Sequence, residues 1–228
     1  DSCVGDCDPA TLASTTAQFR VEDMKTSVPW SMTGFDERFI AGGAPVLDDR
    51  GSYPTDRAAW KAVLRDPRLV IVDPAFLQNG GGPPGFVVEP GSKIVASDPY
   101  TGKTRVLTVA AIAPSDFFIN NGALYGLPGA RTLFGFDLAL NRVYVGLKPS
   151  VDADRFAAGV QATFLSNGAE AFSIATIVDE GFSITHQIFQ LFQGYLAMGL
   201  IVGIAGIAVV SVERFAPRLT PRRVAQST

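Results

Sequence analysis

His186 is the only histidine in the 228-residue chain, which removes the Ser-His-Asp arrangement and most catalytic zinc sites at a stroke. No Gly-x-Ser-x-Gly elbow and no His-Glu-x-x-His run occurs, so the serine-hydrolase and zinc-protease signatures are missing as well. Asp48-Asp49 and Asp152-x-Asp154 are paired carboxylates, but turn and helix-start roles account for both. Gly102-Lys103-Thr104 has the ending of a phosphate-binding P-loop. The position five residues before Gly102 is Ser97, however, and the segment after Thr104 alternates as a strand does instead of opening a helix onto phosphate. Gly80-Gly81-Gly82 sits between Gln78 and two prolines with no helix start or lysine behind it, and reads as a loop. Cys3 and Cys7 are the only cysteines. They could close a small disulfide loop in an oxidising compartment or remain two thiols in a frayed terminus, and their spacing does not decide between these. Two thiols alone do not complete a tetrahedral metal shell. The residues predict no catalytic site, no metal and no cofactor.

Charge narrows the partners. The chain carries a net −3; without the tail after Val212 there remain 15 basic and 21 acidic side chains. A nucleic-acid binder shows a basic face, so that class is excluded. The length before Gly194 suffices for one compact domain or two small ones, and 15 Pro with 23 Gly favour a turn-rich, β-containing fold over a helical bundle.

The elements follow from pattern. Residues 1–20 are small and polar and read as irregular, with a short helix through Pro9–Ala17; Phe19–Met24 opens a strand. Val28–Pro54 reads as loop with short strands. Asp56 caps a helix over Arg57–Arg65 whose Trp60, Val63 and Leu64 share a face, and Asp66-Pro67 ends it. Leu69–Asp73 is a buried strand, and Lys93–Ser97 with Lys103–Ile112 form a hairpin about Asp98-Pro-Tyr-Thr-Gly102. Arg131–Gly135 suggests one helical turn. Asn141–Lys148 is a strand with Val143, Val145 and Leu147 on one side; Val151–Ser166 is a helix stopped by Asn167-Gly168; Ala171–Ile177 returns as a strand. Together these predict an α+β domain with a mixed sheet and a split β-α-β unit over Asn141–Ile177.

What must carry the rest is the stretch from Gly181 to Val212, which holds no Asp, Glu, Lys or Arg. Its second half, Gly194–Val212, is apolar all round and meets the roughly 20 residues that a 30 Å hydrocarbon core requires. Thr176-Ile-Val-Asp179 has the capping-box pattern that would start this helix. His186, Gln190 and Gln193 recur on one face, while Ile188, Leu191, Phe192 and Tyr195 line the other. One continuous helix is therefore expected, amphipathic first and apolar further on. Gly199, Gly203 and Gly206 mark a face on which another helix could approach closely. Arg214, Arg218, Arg222 and Arg223 follow within a short tail against the single acid Glu213. Basic residues so close to a span favour the cytoplasmic side, which places the N-terminal part outside. The expected division is an extracytoplasmic α+β domain over 1–178, a stalk helix over 179–193, a transmembrane helix over 194–212 and a basic cytoplasmic tail over 213–228. Asp1 is preceded by no leader pattern, so export of that domain implies a removed signal, a removed earlier span or a longer parent polypeptide.

Phe189–Val212, with the acidic turn Asp179-Glu180 before it, resembles the membrane helix that follows the extracytoplasmic domain in FtsX-like (MacB-type) permeases of ABC transporters. The resemblance implies a plasma-membrane protein with several spans, further permease helices and a separate ATPase subunit as partners, a homo- or hetero-oligomeric assembly, and export or mechanotransmission in place of catalysis. The chain departs from the family after Val212. Glu213-Arg-Phe-Ala-Pro-Arg-Leu-Thr-Pro-Arg-Arg223 carries two prolines where the family has an Arg-rich run that meets the ATPase. A single-pass anchored domain that binds an outside partner, without transport, is the alternative reading.

Overall fold

The computed structural model describes residues 9–42, 44–78, 84–114, 122–135 and 138–215; side chains of 179–187 and 205–215 lie outside the description. Two compact units result, Asp1–Ser173 and Ile174–Thr228.

The first unit is built on β1 (Pro9–Val21), 13 residues long and the longest strand described. The sequence reading of an irregular or helical start is corrected here. Pro9–Ala17 is rich in Ala, Thr and Ser, which signal neither period strongly. Pairing across the fold decides the conformation instead. Ala13–Phe19 pair antiparallel with β2 (Val28–Phe35), while Gln18–Val21 pair with β4 (Lys93–Ser97). β3 (Leu69–Val72) lies parallel to β5 (Thr104–Ile112) and antiparallel to β6 (Ala123–Gly126), and β6 lies parallel to β2. The hairpin β4–β5 closes the set. Pairings therefore run β1-β2-β6-β3-β5-β4 and back to β1, a ring of six strands that leaves no open edge within it. β7 (Arg142–Val145) adds to the Pro9–Leu12 end of β1. A register shift between Val70 and Ile71 against β5 marks a bulge.

Alternation along the strands splits the core in two. On one side Val70, Val72, Leu107, Val109, Ala123 and Tyr125 meet Phe76 and Leu77. The Phe76 ring stands edge-on to Phe19 at 5.0 Å and to Trp30 at 5.5 Å. On the other side Ile71, Ala111 and Leu124 meet α1 (Glu37–Ala41) and α2 (Asp56–Arg65). Trp60 is the hub there, edge-on to Phe35 at 5.2 Å and Phe39 at 5.5 Å, with its indole N–H donating to the Pro45 carbonyl. Thr55, not Asp56, caps α2: its hydroxyl accepts from the Ala58 N–H, and Asp56 takes the first-turn position where the dipole favours an acid.

Three further expectations are corrected. Arg131–Gly135 belongs to a longer helix, α3 (Leu127–Phe134), and Ala123–Gly126 before it is a strand. In β7 the side chain that joins the core cluster is Tyr144, whereas Val143 is 59% exposed. The split β-α-β unit over Asn141–Ile177 does not form. After β7, α4 (Ala153–Phe164) is capped by Asp152 and ends through a 3-10 turn at left-handed Gly168, but Ala171–Ile177 is no strand. Ile174 begins α5 (Ile174–Phe215), so Thr176 lies inside the helix and the capping-box reading fails with the strand. β-Branched Ile174, Thr176 and Ile177 favour a strand locally, and the propagation of a 42-residue helix overrides that preference.

Candidate functional site

α5 is one unbroken helix of 42 residues, about 63 Å at 1.5 Å per residue. Between Ile188 and Ile204 eleven large apolar side chains are 53–74% exposed, Leu196 most of all. Their positions go all the way round the helix, so no single partner face would hide them. Contiguous apolar surface of this kind marks contact with lipid or protein. Among the described residues no helix is long and apolar enough to cross a membrane. The described side chains stop at Ile204, whereas the apolar run in the sequence closes at Val212.

Most of the residues singled out from the sequence fall on or beyond this helix. Gly199 and Gly203 have open space where a Cβ would stand, as close approach by another helix requires. Gln190 and Gln193 are exposed. Gly206 and Arg214 lie on the helix with their surroundings outside the description, as does the His186 side chain. Cys3, Cys7, Arg218, Arg222, Arg223 and Gly80–Gly82 lie outside the described residues. Among the described residues no group of three His, Cys, Asp or Glu side chains is placed to hold a metal.

The first unit carries polar devices that the sequence did not reveal. Asp73, at the end of β3, is 8% exposed; its Oδ2 accepts from the Gly122 N–H at 2.6 Å and its Oδ1 from the Ala75 N–H at 2.8 Å. Its own N–H returns a bond to the Gly122 carbonyl at 3.1 Å. The carboxylate thus continues the β3–β6 ladder past its last residue. Burial pushes the Asp73 carboxyl up from the ordinary 3.8, against the bonds from Gly122 and Ala75. The Trp30 indole N–H lies near enough to favour the ionised form, yet reaches no acceptor in hydrogen-bond geometry among the described residues. A carboxyl raised in the folded state stabilises most below its unfolded value and loses that contribution as pH rises through the folded value. Asp73→Asn would set an amide donor against one of two N–H donors and should lower stability by about 1–3 kcal/mol. Denaturant titrations across pH should show the gap between native chain and variant narrowing as pH rises above 3.8, the ordinary carboxyl value.

Toward the other end of β6, the Tyr125 hydroxyl donates to the Pro67 carbonyl and accepts from Arg105 at 3.0 Å, and Arg105 also donates to the Thr132 hydroxyl at 3.0 Å. Burial raises the Tyr125 phenol above its usual range. Gly129 makes room for this ring, since a Cβ there would stand 2.6 Å from Tyr125 Cζ. These groups are tied to one another and fix α3 against the sheet, which is a structural task.

Several solved structures are similar to this chain. The matches include a permease-assigned domain from Porphyromonas gingivalis (16% identity, 68% of this chain and 63% of that one, TM-score 0.40). A second is the extracellular domain of the noncanonic ABC-type transporter YknZ from Gram-positive bacteria (13%, 74% and 82%, 0.44). A third is the periplasmic region of MacB from Actinobacillus actinomycetemcomitans (11%, 75% and 72%, 0.45). The chain spans less than two thirds of the Porphyromonas domain, 63%. No protein-family model matches the chain, and no curated protein does.

Proposed function

We propose that this chain is the outer domain and following span of an ABC-transporter permease of the FtsX/MacB type. In this reading α5 crosses the plasma membrane and the first unit stands on the extracytoplasmic side. A separate ATPase drives export or mechanical signalling through the helix. One observation carries the proposal: the ring of exposed apolar side chains over Ile188–Ile204 on an unbroken 42-residue helix. Burying that surface in lipid releases about 25 cal/mol for each Å² of apolar area withdrawn from water, and leaving it in water forgoes the same. A continuous helix also suits transmission, because no loop interrupts the path from Ile174 to Phe215.

The test is extraction. Expressed in a bacterial host, the chain should remain in the membrane pellet after alkaline carbonate washing and leave it only with detergent. Its 1–173 unit should be open to protease added from outside the cytoplasmic membrane. A chain that is monodisperse in buffer without detergent overturns the reading. Retention of a cognate ATPase on the purified parent protein separates a permease from an anchored binding domain.

A further inference from the structure

The outward side of α2 carries a charge that nothing balances among the described residues. Arg57, Lys61 and Arg65 recur at every fourth position, so they stand in one row along the helix, about 6 Å apart and about 12 Å from end to end. Within the helix, the positions three and four away from each hold Ala, Trp, Leu or another base of the row, never an acid. The two acids that flank the row are engaged by other bases, Asp56 by Arg50 at 3.9 Å and Asp66 by Arg68 at 2.9 Å. Among the described residues Arg57, Lys61 and Arg65 form no ion pair.

Local structure does not account for the row. Like charges four apart on a helix repel one another. Arg65 gains from the dipole in the last turn, but Arg57 stands in the first turn, where the dipole favours an acid. Lys61 is half-buried, whereas Lys25, Lys93, Lys103 and Lys148 are exposed. The arrangement destabilises the helix on its own, and an anion laid along the row offsets that cost.

The surroundings select the anion. A phosphate site draws on free backbone N–H groups at a helix start, and here the Thr55 hydroxyl takes the Ala58 N–H while Asp56 adds a carboxylate beside it. A membrane surface takes up large apolar side chains, and the residues beside the row are Ala58 and Ala62. Carboxylates on a peptide meet neither obstacle, and the arginine fork matches a carboxylate with two parallel bonds. Alternate side chains of an extended strand repeat at about 6.6–6.8 Å, close to the spacing of the row, so three carboxylates reach three bases with little drift.

We infer that the outward face of α2 binds an extended acidic segment of a partner protein, with alternate carboxylates on Arg57, Lys61 and Arg65. The contact does not depend on α5 crossing a membrane.

The full chain in neutral detergent micelles tests this, with an N-acetylated peptide of alternating serine and glutamate as the probe. A water-soluble carbodiimide joins a carboxylate to a lysine amine where the two touch. Mass mapping should find the probe on Lys61 at about five times the level on any other lysine, although the others are more exposed. Arg57→Gln combined with Arg65→Gln should lower the Lys61 adduct about fivefold and leave the others unchanged. Acetylation of Lys61 by a neutral reagent should be the same in both chains, which shows that α2 is intact. High salt should lower the Lys61 adduct as well. Adducts that follow lysine exposure, or a Lys61 adduct indifferent to loss of both arginines, would overturn the contact. So would stronger competition, charge for charge, from inorganic polyphosphate or from anionic phospholipid added to the micelles than from excess free peptide.

Discussion

Gly122→Ala is expected to cost the outer unit about 4 kcal/mol, a large part of the roughly 5–15 kcal/mol by which an ordinary domain is stable. A Cβ at this position would stand 2.2 Å from the Ser31 carbonyl oxygen, a backbone atom that no side-chain rotation can move. Gly122 also has φ at +104°, outside the regions open to alanine without strain. Relief by shifting the segment is blocked on both sides. Its N–H and carbonyl are both bonded to Asp73, and Ala123 pairs with Met32 of β2 and with Val72 of β3 in the next step of the ladder. Moving Gly122 away from Ser31 breaks the Asp73 bonds, and keeping them keeps the collision. Thermal unfolding followed by circular dichroism should show the transition lowered by more than 10 °C or lost, while Gly159→Ala, at a helical glycine with open space around it and no positive φ, does not lower it. Comparable unfolding temperatures for the native chain and Gly122→Ala would mean that β2 and β6 do not approach as described.

The importance of Gly122 could not be read from the sequence, and the reason is general to this fold. Asn121-Gly122 reads as one turn signal among several, and nothing local says that another strand's carbonyl will lie against it. The elements that were legible carry their own instructions. Thr55 and Asp56 start α2, Gly168 stops α4, and the Asp98–Gly102 turn joins two alternating runs. β1 was illegible because its conformation is set not only by the neighbouring β2 but by β4 and β7, both distant in sequence. Ala171–Ile177 was misread for the opposite reason: its local preference is for a strand, but its neighbours downstream form a helix that extends backward through it.

The functional surface divides in the same way. The apolar run was plain from the sequence because length and the absence of charge are one-dimensional properties, and the continuous helix follows from them. That Arg57, Lys61 and Arg65 stand unpaired among the described residues was not legible, because pairing depends on what else packs nearby. Asp73 looked like the end of a strand; its bond to Gly122 comes from a chain segment 49 residues away. Side chains whose role is to hold distant strands together leave no periodic trace, and those are the ones the sequence conceals.

Leu200→Arg combined with Gly203→Arg should abolish integration of α5. Each arginine near the middle of a span raises the apparent insertion free energy by about 2.5–3.5 kcal/mol, so the pair amounts to roughly 5–7 kcal/mol, beyond a thousandfold in the partition. Both positions lie well inside Gly194–Val212, where long side chains reach water at either surface with most difficulty. The first unit, Asp1–Ser173, does not include either residue, so its fold should be untouched and its thermal transition unchanged. Carbonate extraction should move the variant from the pellet to the supernatant or to aggregates, whereas Gln190→Arg, on the polar face before the run, should stay with the membrane. If α5 instead packs in a protein core, the same pair would unfold the chain without any dependence on lipid. The thermal transition of the first unit, measured alongside extraction, separates those two outcomes.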